Sequence, residues 1–175
     1  MLFTSHAIVG AAVGAAAGDP IYGFLGGIVS HHVLDAIPHF DQGTFYLERS
    51  GPQYLGMAQI SNYRGDFSRR DWVVLFIDWG IAAAVFGAVF WATPVSRWEL
   101  IVLGAFGGLL PDVVDSSPLW SKKLRAAFGA VAAYHTFHAF FHWTVARKEL
   151  WLGIATQAVL LAVSLAYLLG YLTKS

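Results

Sequence analysis

Long apolar runs separated by short polar breaks dominate the chain. The run 150–172 holds no charged residue and exceeds the roughly 20 residues that cross a bilayer core, so it predicts a membrane-spanning helix. The run 71–92 has similar length, opens at an Asp71 suited to an N-cap and is interrupted only by Asp78. Runs over 97–114 and 125–146 follow. Upstream, 5–17 and 20–37 read as two helices broken at Gly18-Asp19-Pro20, where Pro20 suits a first helical turn. At about 1.5 Å per residue the first of these reaches only about 20 Å, so it is expected to pack inside the bundle as a half-span. Gly10, Ala11, Ala12, Gly14, Ala15, Gly26 and Gly27 would let helices approach closely. The expected fold is therefore all-α: one integral membrane bundle of about six helices, the first short, forming a single domain over 1–175.

The segment 41–70 between helices two and three breaks this pattern. It is polar and irregular, with Gly43, Gly51, Pro52, Gly56 and Gly65, and about 30 residues is long for a connection without structure, a length usually tied to function or mobility. With helices alternating in direction, one side receives Arg49, Arg64, Arg69, Arg70, Lys122, Lys123, Arg125 and Lys174, and the other only Arg97, Arg147 and Lys148. The excess of basic residues predicts that the first side is cytoplasmic, with both termini inside, in a bacterial or archaeal cytoplasmic membrane.

Composition sharpens the class. Charged residues are 13% of the chain, against about 25% for a soluble domain, and 57% of residues are hydrophobic. The formal net charge is zero, so no basic footprint for nucleic acid is expected. There is no cysteine, which excludes disulfides, iron–sulfur clusters and thiolate zinc sites; any metal must be held by His, Asp or Glu. Met1 to Ser5 carry no Lys or Arg, so no cleavable leader is expected and 1–175 reads as the mature chain.

Against that apolar background the ionisable residues stand out, because each charged group inside a membrane costs about 3 kcal/mol on insertion scales and usually marks function. In SHHVLDAIPHFD, His31 and Asp35 lie four residues apart on one helical face, and His39 and Asp41 follow Pro38. In GGLLPDVVD, Asp112 and Asp115 lie three apart near a helix end; in YHTFHAFFHW, His135, His138 and His142 form a stripe. His6 and Asp78 are isolated contributors at compatible depth. Each group alone has a structural alternative: a hydrogen-bonded pair, a helix cap, a wet cavity. Together they predict a divalent-metal centre ligated by His6, His31, Asp35, Asp78, Asp112, His135 and His138, zinc first and manganese or iron as alternatives, with one, two or more ions. Asp115 or His39 is the expected general base or acid. His32 and His142 are expected to be structural.

These motifs resemble the membrane-bound metal-dependent hydrolases, an inner-membrane family similar to zinc-dependent phospholipase C. The resemblance rests on His6 before a Gly-rich helix, SHHVLDAIPHFD, LLPDVVD and the His pair His135 and His138, and it implies His6, His31, Asp35, Asp112, His135 and His138 as ligands of a multinuclear site. Here the Ser-His motif comes second in chain order, and HTFHAFF stands where better-known members carry HRGxTHS. The function expected is hydrolysis of a lipid or other phosphoester by metal-activated water near the cytoplasmic face. The alternative is an ion- or proton-coupled transporter using the same residues; a haem protein with paired histidines is a third. Membrane lipid is the expected partner. The Arg64, Arg69 and Arg70 group would either attract phosphate headgroups or serve as the ordinary positive-inside signal.

Overall fold

The computed structural model describes residues 1–41, 69–145 and 147–173. Arg49, Arg64 and nearly all of the expected polar loop lie outside them. The described residues form seven α-helices and no strand: α1 Phe3–Ala17, α2 Pro20–Asp35, α3 Arg69–Ala92, α4 Trp98–Asp115, α5 Ser121–Ala127, α6 Gly129–Phe141 and α7 Leu150–Thr173, with 3-10 turns at Val95–Arg97 and Arg147–Glu149. The break between α1 and α2 has a local cause. Gly18 takes the left-handed conformation (φ 65°) that ends α1, and the Asp19 carboxylate accepts from Ile21 N and Tyr22 N while Pro20 opens the next helix.

α1 is the centre of the bundle, buried round most of its circumference, and it packs against α2, α3, α4 and α7. Its contact with α4 is backbone on backbone. A Cβ at Gly10 or Gly14 would land on the carbonyls of Gly104 or Leu100, and one at Gly108 would land on the His6 carbonyl. α2 closes on the same seam, because Gly27 faces the Gly104 carbonyl and Gly107 faces that of Phe24. Small residues at these crossings are what bring three helices this close. Farther along, Ile8, Ala11, Ala12 and Ala15 meet Val89, Ile101, Ala105 and Leu168 in the apolar core.

Two helices are long and apolar enough to cross a membrane, Trp72–Ala92 and Arg147–Tyr171. Only 17% and 22% of their apolar windows are buried, whereas the core helix of a soluble protein would be mostly buried. α1 is apolar but short, as expected.

The expected fifth helix, 125–146, is instead two pieces, α5 and α6, separated at Phe128. Both stay at one end of the bundle: Arg125 of α5 binds Asp115, and just beyond α6 the Trp143 amide donates to the Asp35 carbonyl at 2.8 Å. α7 therefore leaves from the same end as α1 and α3. Gln157 of α7 accepts from Ser5 Oγ at 3.1 Å, and at the far end Arg97 donates to the Tyr171 carbonyl at 2.8 Å. The expected bundle puts both termini on one side; among the described residues Met1 lies beside Asp35 and Tyr171 beside Arg97, a length of α4 apart. An α6 of 13 residues spans only about 20 Å and could not have crossed.

Replacing Gly104 by Ala should lower the thermal midpoint by several degrees, a loss of about 1–3 kcal/mol from overpacking. Gly87→Ala, at a position with no atom within 4 Å of the added carbon, should leave the midpoint unchanged; equal midpoints for the two variants would contradict the close α1–α4 seam.

Candidate metal centre

The chain ends of α2, α4 and α6 and the start of α1 meet at one end of the bundle, and they bring six ionisable side chains together. His6, His31, Asp35 and His39 are fully buried, and Asp112 and His138 nearly so. Asp35 is the hub. Its Oδ2 stands 3.1 Å from both His31 Nε2 and His138 Nε2, and its Oδ1 stands 3.2 Å from His6 Nε2. The Met1 amino group donates to Asp35 Oδ1 at 2.7 Å and stands 3.8 Å from Asp41 Oδ2, a cation between two carboxylates.

The far nitrogen of each ring decides which tautomer faces the centre. His31 Nδ1 donates to the Gly108 carbonyl at 2.7 Å, and His138 Nδ1 donates to Asp115 Oδ2 at 3.0 Å. Both protons are thereby placed on Nδ1. The two Nε2 atoms face each other at 3.0 Å and both stand 3.1 Å from Asp35 Oδ2, an arrangement that needs either a cation between them or a second proton on His138 donated to Asp35. Ligands of one tetrahedral zinc at about 2.0–2.1 Å would lie roughly 3.3 Å apart. The Asp112 carboxylate stands at 3.9, 3.8 and 3.9 Å from Nε2 of His6, His31 and His138, too far for hydrogen bonds and facing all three rings at once. His6 adds an orphan: neither ring nitrogen has a hydrogen-bond partner, although the side chain is fully buried, and its Nε2 approaches Asp35 without hydrogen-bond alignment. An unsatisfied buried imidazole aimed at carboxylates and other imidazoles fits a metal ligand. Two triads, His6–His31–Asp112 and His31–Asp35–His138, are each compact enough to share one ion.

Asp115 lies one layer out. It accepts from His138 Nδ1, from His135 Nδ1 at 2.8 Å and from Arg125 Nη1 at 3.1 Å, so it orients His138 as carboxylates do behind metal-ligating histidines. His135 is the more open of the two α6 histidines, its side chain 21% exposed, and it belongs to none of the compact triads. His39 and His142 meet nearby, with ring centroids 4.7 Å apart. The short ladder in which His39 N donates to Trp143 O (3.1 Å) and Val145 N to His39 O (2.9 Å) holds them. Burial would raise the adjacent Asp41 carboxyl, but its contact with His39 and the charges of Met1 and His142 carry it well below the usual carboxylate range.

Asp78, expected among the ligands, does other work. Its carboxylate accepts from Phe3 N at 2.7 Å and Thr4 N at 3.2 Å, while Thr4 Oγ1 donates to its carbonyl at 2.8 Å. It caps the orphan amides that open α1. Gln157 was not among the expected site residues. Its Oε1 accepts from Leu2 N (3.3 Å) and Ser5 Oγ (3.1 Å), and its Nε2 donates to Phe40 O (2.7 Å) and Gly153 O (3.2 Å). A lone Gln in an otherwise apolar run is the signal that could have marked it.

Comparison with protein-family models, with curated proteins and with solved structures finds no match. The chemistry of this centre is therefore read from its own geometry.

Asp78→Ala should cost about 0.5–2 kcal/mol of stability through the lost cap and leave any metal content equal to that of the unmutated protein. Loss of metal from this variant at unchanged stability, read by plasma mass spectrometry beside a thermal melt, would return Asp78 to the ligand set.

Proposed function

We propose that this protein is a membrane-embedded, metal-dependent hydrolase of phosphoesters, with a lipid phosphoester as substrate. The observation that carries the reading is the pair of facing Nε2 atoms of His31 and His138, each with its proton fixed on Nδ1. His6, His31, Asp35, Asp112 and His138 would hold the ion, and imidazole with carboxylate suits zinc, with manganese or iron as alternatives. Such an ion supplies Lewis acidity and a water acidic enough to attack at neutral pH.

The chain's own groups supply the rest. Asp115 keeps His138 in its ligating tautomer and acts through it. His135, hydrogen-bonded to Asp115 and partly exposed, is positioned to pass protons between the centre and solvent. Arg125, anchored on the Asp115 carbonyl at 2.6 Å, sets a guanidinium at the edge of the cluster, where a phosphate would meet it.

The integral bundle and its orientation belong to the same reading. Exposed Trp91 lies 19 residues beyond Trp72, and Tyr171 lies 20 beyond exposed Trp151, separations of about 28 and 30 Å that match a hydrocarbon core with aromatic belts. Asp78 and Gln157, which both touch the start of α1, lie six residues inside Trp72 and Trp151. The centre thus sits about 9 Å below that boundary, within reach of a lipid displaced inward from one face. Arg69, Arg70, Lys122, Lys123, Arg125, Arg147 and Lys148 gather at that end, and among the described residues Arg97 alone marks the other, which favours a cytoplasmic site. A transporter needs a polar route onward, and among the described residues the cluster gives way to backbone-packed Gly and to the Ile8 and Ile101 core.

Asp112→Asn and His31→Ala should each lose bound metal and lower hydrolysis of phospholipid in vesicles by at least 100-fold, with chelator reproducing the loss and added zinc reversing it only in the unmutated protein. Full hydrolysis by Asp112→Asn would overturn the assignment.

A further inference from the structure

We infer that Asp35, His39, Asp41 and His142 form a second divalent-cation subsite, joined to the first through the two oxygens of Asp35. This rests on the metal-centre reading above and adds to it a separate ion with its own ligands.

Valence separates the two ions. An imidazole whose Nδ1 carries a fixed proton has one lone pair, on Nε2, and serves one ion. His31 is such a ring, so the two triads that contain it describe a single ion. A third compact triad, Asp35–His39–His142, contains none of those imidazoles and shares only the Asp35 carboxylate, whose oxygens each face both groups; an ion there would take over from the Met1 amino group, which stands between Asp35 and Asp41. Its histidines are fixed in the same manner. His39 Nδ1 donates to the Ile37 carbonyl at 2.9 Å. Thr144 Oγ1 donates to Asp41 Oδ2 at 2.9 Å and so accepts at 3.0 Å from His142 Nδ1.

Both Nε2 lone pairs then converge on the carboxylates. His39 Nε2 stands 3.3 Å from Asp41 Oδ2 and 3.8 Å from Asp35 Oδ1; His142 Nε2 stands 3.6 Å from Asp41 Oδ2 and 3.8 Å from Asp35 Oδ2. Three of the four separations are too long for a hydrogen bond, and all are near the roughly 3.3 Å between ligands of one four-coordinate ion. The frame is preorganised, since the ladder between residues 39 and 143–145 fixes both histidines before any ion arrives. His39 thereby becomes a ligand instead of a general acid or base, and His142 gains a role.

The test is reconstitution of chelator-stripped, purified full chain with zinc, counted by plasma mass spectrometry, and with manganese, read by electron paramagnetic resonance. Two zinc equivalents are expected in the unmutated protein, one in His39→Ala and in His142→Gln, and one in His6→Ala. The manganese-loaded unmutated protein should give the multiline signal of two coupled ions, and His142→Gln the six-line signal of one; the unmutated signal needs no variant to fold. One equivalent in the unmutated protein, unchanged by His39→Ala, would overturn the second subsite and leave the first. Two uncoupled ions would place the second elsewhere and also overturn it. No bound metal at all would reject the metal-centre reading itself.

Discussion

A carboxylate removed from water must be compensated where it lies, and Asp35 is fully buried among three helices. Its two oxygens meet His6, His31 and His138 within 3.2 Å, with His39 and His142 at 3.8 Å and the Met1 amino group at 2.7 Å. Burying such a charge without partners costs several kcal/mol, so the elements that deliver those partners are constrained to converge on it. That convergence explains why α6 stops after 13 residues and why the chain doubles back at Trp143.

Bringing imidazoles from α1, α2 and α6 to one carboxylate requires the helix axes to approach closely, and glycine is the means. The seam of Gly10, Gly14, Gly27, Gly104, Gly107 and Gly108 allows backbone contact, and the Gly108 carbonyl that it exposes to α2 is the same group that fixes the His31 tautomer. Packing and chemistry are therefore coupled through one residue: a larger side chain at 108 would push α4 from α1 and take the anchor of His31 with it. Asp78 and Gln157 extend the same logic to α3 and α7, tying the two long apolar helices to the first turn of α1 just before His6.

Much of this was legible in the pattern of residues. Helix positions followed from apolar run length and from Gly18-Asp19-Pro20, and the pairing of His31 with Asp35 followed from four-residue spacing. Asp112 and Asp115, though three apart on one helix end, separate in role: Asp112 faces three imidazole Nε2 atoms, while Asp115 supports His138 and His135 from behind. Spacing along a helix places two side chains on a face without saying what stands opposite. Asp78 shows the same limit, because its depth was compatible with the cluster but the free amides of α1 lay closer.

What the sequence by itself determined is the set of local facts: apolar helices, no cysteine, and ionisable residues at positions where burial is costly. These follow from periodicity and from the chemistry of single residues. Tertiary structure alone decided which nitrogen of each histidine faces inward, that His39 and His142 meet although they lie 103 positions apart in the chain, and that α7 departs from the end that holds the His and Asp cluster instead of the far one. Each of those depends on long-range contacts between segments whose relative placement no local spacing encodes, and each is set by the requirement that buried polar groups find partners.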